Sequence, residues 1–139
     1  MKYWLFKSEP STWSWDDQVA RGAAGEEWDG VRNYQARNFM RDMAIGDRAF
    51  FYHSQSEKAV VGTVEICAAA HPDSTTDDDR WECVDIRALI PLKTPVSLAD
   101  IKARSDLADM ALVRSSRLSV QPVTPTEWSI VCRMGGIDP

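Results

Sequence analysis

Apolar positions along this chain recur with two different periods. Residues 2–7, KYWLFK, form a short aromatic and aliphatic run that stops before Pro10, which predicts a first strand buried on at least one side. In SWDDQVARG, Ser14 is followed three residues later by Asp17, a capping-box start to a short helix that Gly22 is placed to end. Residues 22–27, GAAGEE, read as a loop. From Asn33 the period becomes that of a helix: Ala36, Phe39, Met40 and Met43 fall at i, i+3, i+4 and i+7 on one apolar face. Asn33 is the expected N-cap and Gly46 the stop, with Arg37 and Arg41 on the outer side.

Period two returns in RAFFYHS and KAVVGTVEICA, joined by QSEK, which predict a hairpin in which Gly62 marks a bulge or a close backbone approach. HPDSTTDDDR reads as a loop. WECVDIRALIPL alternates, with Val84, Ile86, Ala88 and Ile90 on one face and Trp81, Cys83, Asp85 and Arg87 on the other, so the sheet is expected to be two-sided. PVSLADIKARSDLADMALV predicts a helix in its early part, capped by Ser97, and RLSVQPV a last strand ending at Pro122. The final segment has the strongest cap, with Thr124 as N-cap, Pro125 at N1, Glu127 at N3 and Gly135 or Gly136 at the end. Strands mixed with short helices, without a regular strand–helix–strand rhythm, predict an α+β domain on a small barrel-like sheet.

Residues 1–139 suit one domain. A net charge of −5 argues against a protein that holds nucleic acid mainly by neutralising many phosphates. A local basic patch stands out nonetheless: Arg32, Arg37, Arg41 and Arg48 lie close in sequence against only Asp42 and Asp47, while acid gathers at Asp77, Asp78 and Asp79. Cys67, Cys83 and Cys132 are odd in number and set among apolar neighbours, which predicts thiols in a reducing compartment. No apolar run approaches the length of a membrane span or a signal peptide, and the expected location is cytoplasmic, with no membrane partner.

Several chemistries find no support. His53 and Ser54 are neighbours in a strand and so point to opposite faces, which disfavours a nucleophile and base pair. With two histidines and no paired cysteines, no metal site is expected from spacing; His71, before Pro72, reads as a loop residue and the three aspartates as a solvated turn. No glycine-rich phosphate loop is present and no cofactor is implied.

Aromatic and polar residues remain. Of six tryptophans, Trp4, Trp15 and Trp128 read as core, and Trp13 as a loop contact. Trp28 stands in a loop between Glu26, Glu27 and Asp29, just ahead of a helix, where it either packs or walls a pocket for a planar, hydrogen-bonding ligand; Trp81 poses the same choice with packing favoured. Ser8 and Glu9 end the first strand, where Glu9 either caps a turn or accepts from a ligand amine, as carboxylates do from the amino group of cytosine. Asn33 caps a helix or reads a base edge, and Arg114 and Arg117 pair with carboxylates or with phosphates.

Three blocks carry a resemblance: YWLFKSEP at 3–10, WDGVRNYQARNFMRDMAIGDRAFFYHS at 28–54 and LVRSSRLSVQPVT at 112–124. In order and spacing they resemble the EVE domain over essentially the whole chain. The resemblance implies a PUA-like α+β fold, a pseudo-β-barrel of about five to six strands with short helices around it, related to YTH and ASCH domains. It also implies a non-catalytic reader of a modified nucleobase, above all modified cytosine, in DNA or RNA, through an aromatic-walled cage. Carried over residue by residue, Ser8, Glu9, Trp28, Val31, Asn33, Tyr52, His53 and Ser54 would line the base pocket, and Arg32, Arg37 and Arg117 would hold the backbone. The implied partners are a nucleic acid with a modified base and an effector protein acting on it, with the oligomeric state open. The rival is an ASCH-like nucleotide- or RNA-directed enzyme using Glu9 and His53.

Overall fold

The structure is a computed structural model that describes residues 1–139. Six strands form one mixed sheet in the order β2-β5-β4-β3-β1-β6. They are β1 (Tyr3–Ser8), β2 (Glu26–Glu27), β3 (Arg48–His53), β4 (Ala59–Pro72), β5 (Glu82–Ser97) and β6 (Val120–Val123). β1 and β3 run parallel, and every other pair is antiparallel.

Alternation along the strands explains why this sheet is buried on both sides. Trp4, Phe6, Ala49 and Phe51 point into one apolar cluster, while Leu5, Phe50 and Tyr52, their immediate neighbours, point into another. α1 (Trp15–Ala20) and α2 (Tyr34–Asp42) cover the first face; α3 (Leu98–Lys102), α4 (Ala111–Arg114) and α5 (Pro125–Met134) cover the second. Four register shifts bend the long β4–β5 pair. α2 packs on β4, β5 and β6 together, so the helix spans the distance between opposite sides of the curled sheet. This is the α+β pseudo-barrel that the family resemblance implied.

The expected caps are all formed. Ser14 and Asp17 make a capping box on α1, Thr124 and Glu127 one on α5, and Asn33 and Ser97 accept from Ala36 N and Asp100 N. Gly62 is a close approach: a Cβ there would meet the Trp15 ring at 2.5 Å. Four local expectations need correction. GAAGEE contains a 3-10 turn and the edge strand β2. α2 ends at Asp42, because Met43 is already extended, and Gly46, at φ +95°, shapes the following turn instead of stopping the helix. β5 keeps its alternation only as far as Ala88, since Ile90 is exposed. His71 lies in β4, not in a loop, paired opposite Cys83. No helix is long and apolar enough to cross a membrane.

Candidate functional site

A cleft of about 560 Å³ opens where the end of β1 and the turn after it face the segment that follows β2. It is lined by Lys7, Ser8, Glu9, Thr12 and Trp13 from β1 and the turn after it, by residues 26–32, and by Ser119. Its apolar surface comes from Trp13, Trp28 and Val31, and the rest is polar.

Both tryptophans are fixed from behind. The Trp28 N–H donates to the Val84 carbonyl at 2.9 Å, continuing the β2–β5 pairing by one residue. Its ring meets Phe6 edge-on at 5.2 Å and Phe51 at 5.8 Å, aromatic contacts supplied by the first face of β1 and β3. Trp13 Nε1 donates to Gln18 Oε1 at 3.0 Å, and the fully buried Gln18 in turn donates Nε2 to the Ile86 carbonyl at 3.0 Å. The Ser8 hydroxyl donates to the Trp13 carbonyl. A buried glutamine thus ties the second aromatic wall to β5.

The loop bearing Trp28 is anchored on Asp73, which is 2% exposed. Its carboxylate accepts from Gly30 N at 2.9 Å, Arg32 Nη1 at 3.0 Å, Thr75 N at 2.8 Å and Thr75 Oγ1 at 2.5 Å. Burial pushes this carboxyl up, but the four donors outweigh burial and hold it at about 2. Burial likewise raises Glu27, yet the Ser74 hydroxyl and amide, the Cys83 thiol and the nearby His71 bring it below the usual range. Asp29 moves the other way, raised by burial and by the charges of Asp73, Glu27 and Glu26. Lys7 is lowered by burial, with Nζ donating to the Ser116 carbonyl at 2.7 Å. The mouth of the cleft is therefore a field of acceptors, relieved by Lys7 and Arg32.

Of the residues expected at the pocket, Ser8, Glu9, Trp28 and Val31 border the cleft, as does Arg32, expected on the backbone. The others do not. Tyr52 is turned by strand alternation to the opposite face, 3% exposed. His53 lies behind the wall, where Nε2 accepts from Trp15 N at 2.9 Å and Nδ1 donates to Glu57 at 2.6 Å. Ser54 pins the ends of β1 and β3 through the Ser8 carbonyl, by its N–H at 2.9 Å and its hydroxyl at 3.2 Å. Asn33 spends its side-chain oxygen on Ala36 N at 2.9 Å and borders a separate groove of about 280 Å³ with Ser115, Ser116 and Arg117. Arg37 donates to the Arg80 carbonyl at 3.0 Å and lies over the Tyr34 ring.

The postulated Glu9–His53 acid and base pair is not assembled: Glu9 accepts from Gln55 Nε2 at 2.9 Å, and both His53 nitrogens are occupied elsewhere. Trp81 stacks on Tyr34 at 4.9 Å, outside the cleft. Sequence reasoning missed Lys7, Thr12, Trp13, Glu26, Glu27, Asp29, Gly30 and Ser119 as lining residues. For Trp13 a signal existed: an indole flanked by Ser and Thr just before a capped helix is held by the turn, not by a core.

The family model of the EVE domain matches residues 2–134. Thymocyte nuclear protein 1 of Mus musculus is 34% identical over 99% of this chain and 75% of its own length. A crystal structure of a protein from Agrobacterium tumefaciens superposes with a TM-score of 0.97 at 61% identity, covering 99% of this chain and 94% of that one. The structure of human thymocyte nuclear protein 1 in complex with DNA containing 5-methylcytosine superposes with a TM-score of 0.92 at 33% identity, covering 100% of each chain. An ASCH protein from Zymomonas mobilis shares the fold at 12% identity and a TM-score of 0.61.

Proposed function

This chain belongs to the EVE domain family, and from that premise we propose that it is a non-catalytic binding domain that reads a modified cytosine in DNA. The observation that carries the reading is the cleft itself, in which Trp13 and Trp28 supply aromatic faces and Glu9, Glu26 and Asp29 supply acceptors. A base swung out of its stack needs those two things: a π face on either side and fixed partners for its edge. Cytosine offers an amino group to carboxylates. Its N3 and O2 acceptors find donors in Lys7 and Arg32. The DNA complex of the human relative, similar to this chain over its full length, supports DNA as the target.

Arg117 borders the neighbouring groove with Asn33, Ser115 and Ser116, where it is placed to meet the backbone beside the base. Glu9 is bonded to Gln55 and His53 to Trp15 and Glu57, so the cleft offers no Glu9–His53 pair, and on this reading the domain marks DNA and leaves chemistry to an effector protein. Three unpaired cysteines support a reducing, cytoplasmic compartment.

The test is binding of short single- and double-stranded oligonucleotides carrying cytosine, 5-methylcytosine, 5-hydroxymethylcytosine or N6-methyladenine, by fluorescence anisotropy. A preference for one modified cytosine that disappears in both Trp28→Ala and Trp13→Ala supports the reading. Equal affinity for all, unchanged by either substitution, overturns it.

A further inference from the structure

β4 and β5 set His71 opposite Cys83, and β2 and β5 set Glu27 opposite Asp85. Cys83 and Asp85 are two apart on β5 and share a face, so four ligand-type side chains from three strands converge. One ligand atom each from Glu27, His71 and Cys83 lies within 4.8 Å of the others. Cys83 Sγ is 3.3 Å from Glu27 Oε1. Tetrahedral zinc, with bonds of about 2.0–2.3 Å, sets its ligand atoms about 3.3–3.8 Å apart, so this pair already has the required spacing.

His71 Nε2 is 2.7 Å from Asp85 Oδ1 and Nδ1 is 3.0 Å from the Pro72 carbonyl. Glu27 and Asp85 stand beside His71, and the nearby Arg32 is committed to Asp73.

We propose that Glu27, His71 and Cys83 form a binding site for a divalent transition-metal ion of the zinc type, with Asp85 orienting the imidazole. A thiolate, an imidazole and a carboxylate are the mixed donor set that such an ion takes, and the hard cations magnesium and calcium would not take the sulfur. On binding, a metal–sulfur bond replaces the Cys83 S–H, whose proton leaves to solvent, while the lone pair of His71 Nδ1 turns from the Pro72 carbonyl to the ion and Nε2 keeps Asp85. The carboxylate–histidine arrangement with Asp85 is the one that fixes ring orientation in metal sites. Spacing in sequence hid the set, because residues 27, 71 and 83 belong to three different strands. Glu27 also borders the cleft, so the ion braces the cleft wall without occupying it.

The test is titration of the reduced full chain with Co²⁺ alone, followed by Zn²⁺. One equivalent of cobalt gives a near-ultraviolet thiolate-to-cobalt band that one equivalent of zinc removes. The band is lost in Cys83→Ser, and affinity falls about 10–100-fold in Asp85→Asn. A folded wild-type chain without a thiolate band overturns the site, as does a band that persists in Cys83→Ser, which would come from Cys67 or Cys132. If Cys83→Ser fails to fold, His71→Ala decides: its side chain is 35% exposed, and affinity equal to wild type there is equally fatal to the proposal.

Discussion

Replacing Asp73 by Asn tests whether one buried carboxylate holds the cleft loop in place. The side chain is 1% exposed, so water screens its interactions little. It accepts four hydrogen bonds from Gly30, Arg32 and Thr75. Holding the carboxyl at about 2 instead of 3.8 corresponds to about 2 kcal/mol of stabilisation of the charged form. An amide of the same shape loses that charge and turns an NH2 toward a donor, so the expected loss at neutral pH is about 2–4 kcal/mol. The folded-state value lies below the unfolded one. The stabilisation is therefore complete above the unfolded pKa near 4 and disappears as pH falls toward 2. Urea unfolding of wild type and Asp73→Asn, in steps from neutral to acid pH, should show a wide gap that narrows below pH ~4. A neutral-pH gap under about 0.5 kcal/mol, or one that does not change with acid, would refute the assignment.

Trp28→Ala removes one stacking face, and loss of about 1–3 kcal/mol in oligonucleotide binding, roughly 5–150-fold, is expected in anisotropy titrations. Gly62→Ala drives a methyl to within 2.5 Å of the Trp15 ring; overpacking should cost about 1–3 kcal/mol in chemical denaturation, and a neutral result contradicts the close contact. Asn33→Ala loses the cap on Ala36 N, so stability should drop about 1 kcal/mol while base preference stays as it was. Binding should also weaken little with salt, since few free cations border the cleft; a log–log slope steeper than about −4 would mean that the phosphates dominate after all.

The fold was legible where a local rule had a single physical solution. Thr124, Pro125 and Glu127 satisfy the free N–H groups of one helix start and no other arrangement, and the cap forms as read. The Ala36–Met40 face and the hairpin followed from period alone. The pocket was less legible, because its members are set by which face a residue takes and what its side chain has already bonded. Tyr52 and His53 are adjacent, yet alternation sends Tyr52 into the second core while His53 is used to hold Trp15 N. Asn33 offered two roles, and the helix cap took it. Trp13 was legible only as a loop contact, because its anchor, Gln18, reaches β5 through one hydrogen bond to Ile86, 68 residues away. The Glu27–His71–Cys83 group was invisible for the same reason: cross-strand register has no trace in linear spacing.

The acidity that first argued against nucleic acid becomes intelligible once the cleft is known. Glu9, Glu26, Glu27 and Asp29 border it, and the charge of Arg32 is largely answered by Asp73. A phosphate drawn into that mouth meets like charge, whereas a cytosine ring presents an amino group that carboxylates accept. Under the proposed reading, the same residues would repel the backbone and admit the base, favouring an extruded nucleotide over a duplex lying across the opening. Burying the 5-methyl group yields only about 0.8 kcal/mol, near four-fold. A larger preference has to come from the fit between fixed walls, and the walls are fixed: Trp28 by Val84, Phe6 and Phe51, and Trp13 by Gln18 and Ser8. Selectivity in such a site is a property of the scaffold behind the tryptophans as much as of the tryptophans themselves.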